Sequence, residues 1–199
     1  MSIERIAVFI DGFNLYHGLK SKYPNLKWLD LHKLSLSLLK PNQTLVSVNF
    51  FTAMVLSGGG KAIRQNAYLS ALKTTPVKII LGRYSKKSKR CRACGATWVT
   101  YEEKMTDVNI SVAMILGAVN DEFDKAIVIS GDTDLHKPIT KTKAIGKEVI
   151  IVFPPNRHTN RLKQIADASF VLGRGKLKSA QFPNTINSSG FPIQKPTSW

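Results

Sequence analysis

The chain is short of acid. Its 199 residues hold 13 Asp and Glu against 29 Lys and Arg, a formal net charge of +16. A field of that sign concentrates polyanions, and phosphate contacts would make their capture steeply salt-dependent. Excess lysine can serve solubility alone, but here the basic residues cluster and coexist with grouped acids, which favours a nucleic-acid partner. Cysteine is scarce too: Cys91 and Cys94 are the only two, too few for a disulfide framework. No apolar run approaches the ~20 residues that cross a bilayer, so no membrane partner is expected. Met1 leads almost directly into an apolar run without a signal-peptide pattern, and a cytoplasmic location is expected. Neither a Gly-x-Gly-x-x-Gly fingerprint nor a Walker loop occurs, which argues against a nucleotide cofactor.

The few acids present are placed unusually. Ile6-Ala-Val-Phe-Ile-Asp11-Gly-Phe-Asn14 is an apolar run ending in a carboxylate. Ala126-Ile-Val-Ile-Ser130-Gly-Asp132-Thr-Asp134 is another. Between them, Glu103-Lys104-Met-Thr-Asp107 opens an apolar segment. Continuous apolar runs read as buried parallel strands, and ligands in such sheets bind at the carboxyl ends of the strands.

Strands are expected at 5–10, 45–55, 77–83, 126–130, 147–153 and 170–172. Helices are expected after Asp30, over 61–74 behind the glycine run Gly58-Gly-Gly60, from Thr106 to about Val119, after Asp132, and over 159–167. The alternation predicts right-handed βαβ units and a three-layer α/β/α fold on a central parallel sheet. Residues 1–172 form the expected domain, with a basic, cysteine-containing insertion at 84–101. Residues 173–199 contain no acid and many Ser, Asn, Gln and Pro, the composition of a flexible tail.

Each acid has a plain structural explanation. Asp11 can start a turn, Asp107 can offset a helix dipole, and Asp132 and Asp134 can cap a helix. None of these requires the acids to converge. A hard-oxygen site for Mg²⁺ or Mn²⁺ does, and such ions lower the pKa of bound water and offset the charge of a phosphodiester. Convergence at one sheet edge would therefore point to a metal-dependent nuclease.

These three motifs resemble the NYN domain, a branch of the PIN-like ribonuclease superfamily, over about residues 5–172. The resemblance implies a Rossmann-like fold with Asp11, Asp107, Asp132 and Asp134 as metal-site acids. Asn14 and Ser130 match its polar positions and would orient a carboxylate, a water or a phosphate. Related domains mostly cut RNA, and some superfamily members cut structured DNA, so RNA is the favoured substrate. A catalytically silent nucleic-acid-binding module on the same fold is the alternative. A haloacid-dehalogenase phosphatase would want Asp where Phe13 stands, and a Toprim nuclease would want Glu at Asp11.

Lys86, Lys87, Lys89, Arg90 and Arg92 in the insertion, with Lys104 and Lys137, are the candidate phosphate contacts. Cys91-Arg-Ala-Cys94-Gly95 has zinc-knuckle spacing, but a structural zinc needs four ligands. Reduced thiols, a labile disulfide, and a zinc site shared by two copies in a homodimer all remain open.

Overall fold

The computed structural model describes residues 3–55, 59–187, 190–197 and 199. Seven strands build the main sheet: β1 (Glu4–Asp11), β2 (Gln43–Ala53), β3 (Val77–Arg90), β4 (Thr97–Lys104), β5 (Lys125–Ile129), β6 (Glu148–Phe153) and β7 (Ala168–Val171). Their order is β4-β3-β2-β1-β5-β6-β7, and every pairing is parallel except β3 with β4. The chain builds outward from β1 through β2 and β3, then returns to add β5 on the other side of β1. The reversal leaves a crevice at the carboxyl ends of β1 and β5, where open α/β sheets bind ligands.

Helices cover both faces. On one side lie α1 (Gly12–Lys22), α2 (Leu31–Leu36) and α3 (Gly60–Leu72), packed on Ile6, Val8 and Ile10 of β1. On the other lie α4 (Thr106–Val119), α5 (His136–Ala144) and α6 (Asn160–Ile165), packed around Ala7 and Phe9. The two-residue alternation of a strand divides β1 between these cores. Asp11 continues the odd-numbered set, toward the face on which α4 starts. Asp30 caps α2 as expected, accepting from the Lys33 N–H at 2.9 Å. Thr106 does not cap α4: Met105, left-handed at φ 77°, is the N-cap, and Thr106 is the first helical residue. Gly58, expected to help end the second strand, lies outside the described residues.

The insertion is a hairpin. β3 runs on to Arg90 and pairs antiparallel with β4, from Arg83 opposite Lys104 to Arg90 opposite Thr97. A two-stranded ribbon beyond the core needs no apolar face, which is why its polar sequence reads as a loop.

The expected flexible tail is instead docked. It forms α7 (Arg174–Ser179) and a small hairpin of β8 (Thr185–Ile186) and β9 (Ile193–Gln194). Leu177, Ala180 and Phe182 are buried in the first core. Backbone bonds from Asp30 N to Ala180 O (2.8 Å) and Phe182 N to Trp28 O (2.9 Å) fix the segment, and the Trp28 indole N–H donates to Pro183 O at 2.9 Å. A segment too poor in apolar residues to fold alone holds its place by borrowing the Trp28 surface. Among the described residues no helix is long and apolar enough to cross a membrane.

Candidate metal centre

Asp11, Asp107 and Asp132 meet at the crevice, each offering a carboxylate oxygen within 4.8 Å of the others. Three different elements deliver them: the end of β1, the first turn of α4 and the loop after β5. The span is close to the ~4.2 Å across an octahedral Mg²⁺ with bonds of ~2.1 Å. An all-carboxylate donor set fits a hard divalent cation rather than a thiolate-seeking metal.

Asp11 is buried and held from two sides. Its Oδ1 accepts from the Asn14 N–H at 2.9 Å, capping α1, and its Oδ2 accepts from Ser130 Oγ at 2.8 Å. Ser130 Oγ in turn accepts from the Asp132 N–H at 3.0 Å. Asn14 Oδ1 accepts from the Gly131 N–H at 3.0 Å, tying α1 to the same loop. Asp132 caps the following 3₁₀ turn by accepting from the Asp134 N–H at 3.0 Å. Capping and convergence thus coexist in the same side chains. Asp134 stands outside the group of three, exposed at its rim, and reaches Asp107 only through its charge.

Burial and mutual repulsion set the electrostatics of the crowded acids. Burial, above all, raises the pKa of Asp11 despite its hydrogen bonds. Asp107 is raised to about 6, by desolvation and then by the charges of Asp132, Asp11 and Asp134. Glu103 is raised to about 7, by desolvation and then by Asp11, Asp107 and Asp132. Glu103 was quoted in its motif but given no role in the sequence reading, yet it faces the same cluster, and Thr106 Oγ1 donates to its Oε1. The left-handed Met105 turn brings both ends of Glu103-Lys104-Met-Thr-Asp107 to one place.

The expected nucleic-acid contacts divide. Lys87, Lys89 and Lys104 lie 3.1, 3.9 and 3.6 Å from Glu102 carboxylate oxygens, so that acid offsets part of their charge. Strand alternation and the β3/β4 register put them on one face of the ribbon with Trp98. Lys86 and Arg90 lie on the other, with Tyr84, Tyr101 and Glu103. Arg92 is exposed at the hairpin tip and Lys137 is exposed on α5. At that tip, the Cys94 and Ala93 backbone N–H groups and the Cys94 side chain bond to Cys91 and lower its pKa. The described residues gather no third metal ligand around Cys91 and Cys94.

The NYN domain family matches residues 5–173. A curated relative from Pseudomonas putida, 6-hydroxy-3-succinoylpyridine 3-monooxygenase HspA, is 26% identical over 238 aligned residues, covering 98% of this chain and 75% of the relative. A solved structure from Vibrio parahaemolyticus, a protein of unknown function (VPA0982), superposes with a TM-score of 0.62 at 21% identity, covering 86% of this chain and 94% of that one. At that identity the likeness speaks for the fold alone. The family match spans the sheet, both helical layers and all the clustered acids, and by it the chain belongs to the NYN domain family, within the PIN-like nuclease superfamily.

Proposed function

We propose that this protein is a metal-dependent nuclease, most simply a ribonuclease that hydrolyses phosphodiester bonds. The observation that carries the reading is the meeting of Asp11, Asp107 and Asp132 at the sheet's switch point. These three would hold Mg²⁺ or Mn²⁺, with Asp134 at the margin. A bound ion of this kind lowers the pKa of coordinated water and offsets charge on phosphate. Ser130 and the Asn14 N–H aim Asp11 and offset part of the burial that disfavours its charge. Glu103, its pKa raised by burial and by the charges of Asp11, Asp107 and Asp132, faces the same cluster and would be its proton-transfer group, through Oε2, since Thr106 bonds to Oε1. Lys86 and Arg90, on the Glu103 face of the ribbon, would position the strand. Zinc at Cys91 and Cys94 would need two further ligands, which a second copy could supply in a homodimer. Native mass spectrometry with added zinc tests that.

The relative's name offers a second reading, the hydroxylation of a small heteroaromatic acid. One observation favours it, an aromatic-walled cavity next to Gly12. Hydroxylation requires O₂ and two electrons from a reductant, whereas the acid cluster supports hydrolysis with water alone. The acid cluster and the family match support the nuclease reading. The deciding assay incubates labelled single-stranded RNA, duplex RNA and DNA with Mg²⁺, Mn²⁺ or EDTA, using the wild type and Asp11→Asn. Cleavage that is lost in EDTA and in the variant is expected. No cleavage of any polymer with either ion would leave the binding-module and hydroxylation readings.

A further inference from the structure

A cavity of about 230 Å³ opens between α1, the carboxyl end of β2, α3 and Trp199. We propose that it binds a small aromatic anion, one aromatic six-membered ring that carries its carboxylate or phosphate directly or through a sugar.

Size sets the ring count. A cavity of ~150 Å³ seats benzene, and pockets for drug-sized ligands begin near ~300 Å³. The volume here suits one ring with a short polar arm. The walls suit a ring: Phe50 and Tyr68 form buried parts of the lining, and their rings meet edge to face with centroids 6.2 Å apart. An inserted ring gains from offset or edge contacts with such neighbours.

The lining also sets the sign of charge. It includes Lys20, Lys27, Lys61 and Arg64 and no acid. None of the four pairs with a carboxylate among the described residues, whereas Arg5, Lys125, Lys143 and Lys147 each do. Lys27 Nζ lies 5.9 Å from the Tyr16 ring centroid and 5.5 Å from that of Trp199. Its pKa is lowered by burial, then by Arg64 and Lys20. Among the described residues no side-chain carboxylate pairs with these three neighbouring cations, and a bound anion would balance them. The Trp199 indole N–H is buried with no hydrogen-bond partner, which leaves a spare donor on the same lining.

Gly12 and Phe13, which follow Asp11 in the chain and open α1, line the cavity. The ligand can be a free aromatic acid or a pyrimidine nucleotide of a nucleic-acid strand, which share this chemistry. The proposal does not depend on the nuclease reading.

Calorimetric titration of the full chain in EDTA tests it with uridine 5′-monophosphate and nicotinate as ring anions. Uridine and nicotinamide are the uncharged rings, and inorganic phosphate is the ringless anion. Saturable binding of at least one ring anion is expected, at least about tenfold tighter than its uncharged ring and than phosphate. Arg64→Gln should weaken it about tenfold or more, the scale of a lost charged hydrogen bond, with the circular dichroism spectrum unchanged. Asp11→Asn should bind as the wild type does, whatever its cleavage activity. Preference for the nucleotide supports the nucleic-acid source, and preference for nicotinate supports the free acid. Phosphate binding as tightly as either ring anion, or no saturation by either in the millimolar range, overturns the proposal.

Discussion

Ser130 Oγ donates a 2.8 Å hydrogen bond to Oδ2 of Asp11, joining the ends of β5 and β1 across the crevice. It is the side-chain donor to a carboxylate with almost no contact with water. Ser130→Ala should lower Mn²⁺ affinity about tenfold or more, as loss of a partner that orients a ligand does. Manganese titration followed by electron paramagnetic resonance measures this. Unchanged affinity would remove Ser130 from the positioning of Asp11.

Crowded acids set a pH dependence with a definite sign. Asp107 and Glu103 have folded-state pKa values of about 6 and about 7, above the ordinary carboxylate range. At these two groups the native protein holds more protons than the unfolded chain between about pH 4 and pH 7, and their contribution to stability falls as pH rises through that window. The melting temperature of the ion-free protein should be lower at pH 8 than at pH 5. Mn²⁺ should raise it at pH 8 and do little at pH 5, where protons compete for the same oxygens. Thermal melts in EDTA and in Mn²⁺ at both values test this, and a flat ion-free profile would contradict it.

Glu103→Gln removes one charge from that crowd. Without metal it should melt higher than wild type at pH 8 and equal to it at pH 5. If Glu103 moves a proton, cleavage should slow about 100-fold or more, while substrate KM stays nearly constant. Equal turnover would confine Glu103 to electrostatics.

The two faces of the ribbon separate position from bystander. Neutralising Lys86 and Arg90 should reduce the salt slope of RNA binding by about two units, near one per phosphate contact. Neutralising Lys87 and Lys89, which face Glu102, should change it less. Affinity measured across a salt series decides, and the reverse order would put the strand on the Trp98 face.

Gly131 is packed against the backbone of Arg157, whose carbonyl oxygen would lie 1.9 Å from an added Cβ. Backbone cannot yield as a flexible side chain does. Gly131→Ala should cost about 2 kcal/mol or more in urea unfolding, on the scale of overpacked sites. It should also disturb Asp132 more than Asp107. A neutral substitution would show that the loop shifts freely.

The central strands β1, β5 and β6 were legible because they are nearly unbroken apolar runs, whereas the polar β3/β4 ribbon reads as a loop. The convergence of Asp11, Asp107 and Asp132 was legible for the same reason: parallel strands end at one edge. Helix α1 was not anticipated. It opens on Gly12 and carries Gly18, poor helix formers. The structure explains Gly18: a Cβ there would lie 2.7 Å from the Pro155 carbonyl oxygen and 2.8 Å from Pro154 Cβ. The docked C-terminal segment was illegible because its partners are remote, with Phe182 edge-on to Trp28 at 5.8 Å between centroids. Glu103 was in view but unassigned, since four-residue spacing to Asp107 suggests one helix face rather than a strand end and a helix start joined by a left-handed residue.

The outermost strand is the one most easily peeled from the sheet. β4 hydrogen-bonds within the sheet only to β3, and its tip half is solvated on both faces. Peeling it away exposes little apolar surface, so this opening costs far less than global unfolding. Amide exchange should therefore run fastest along this ribbon while β1 and β5 stay protected. Glu103 leaves with the peeled strand and Asp11 remains. Glu103 can thus leave the cluster while Asp11, Asp107 and Asp132 stay in place, and whatever clamps the ribbon holds Glu103 beside them.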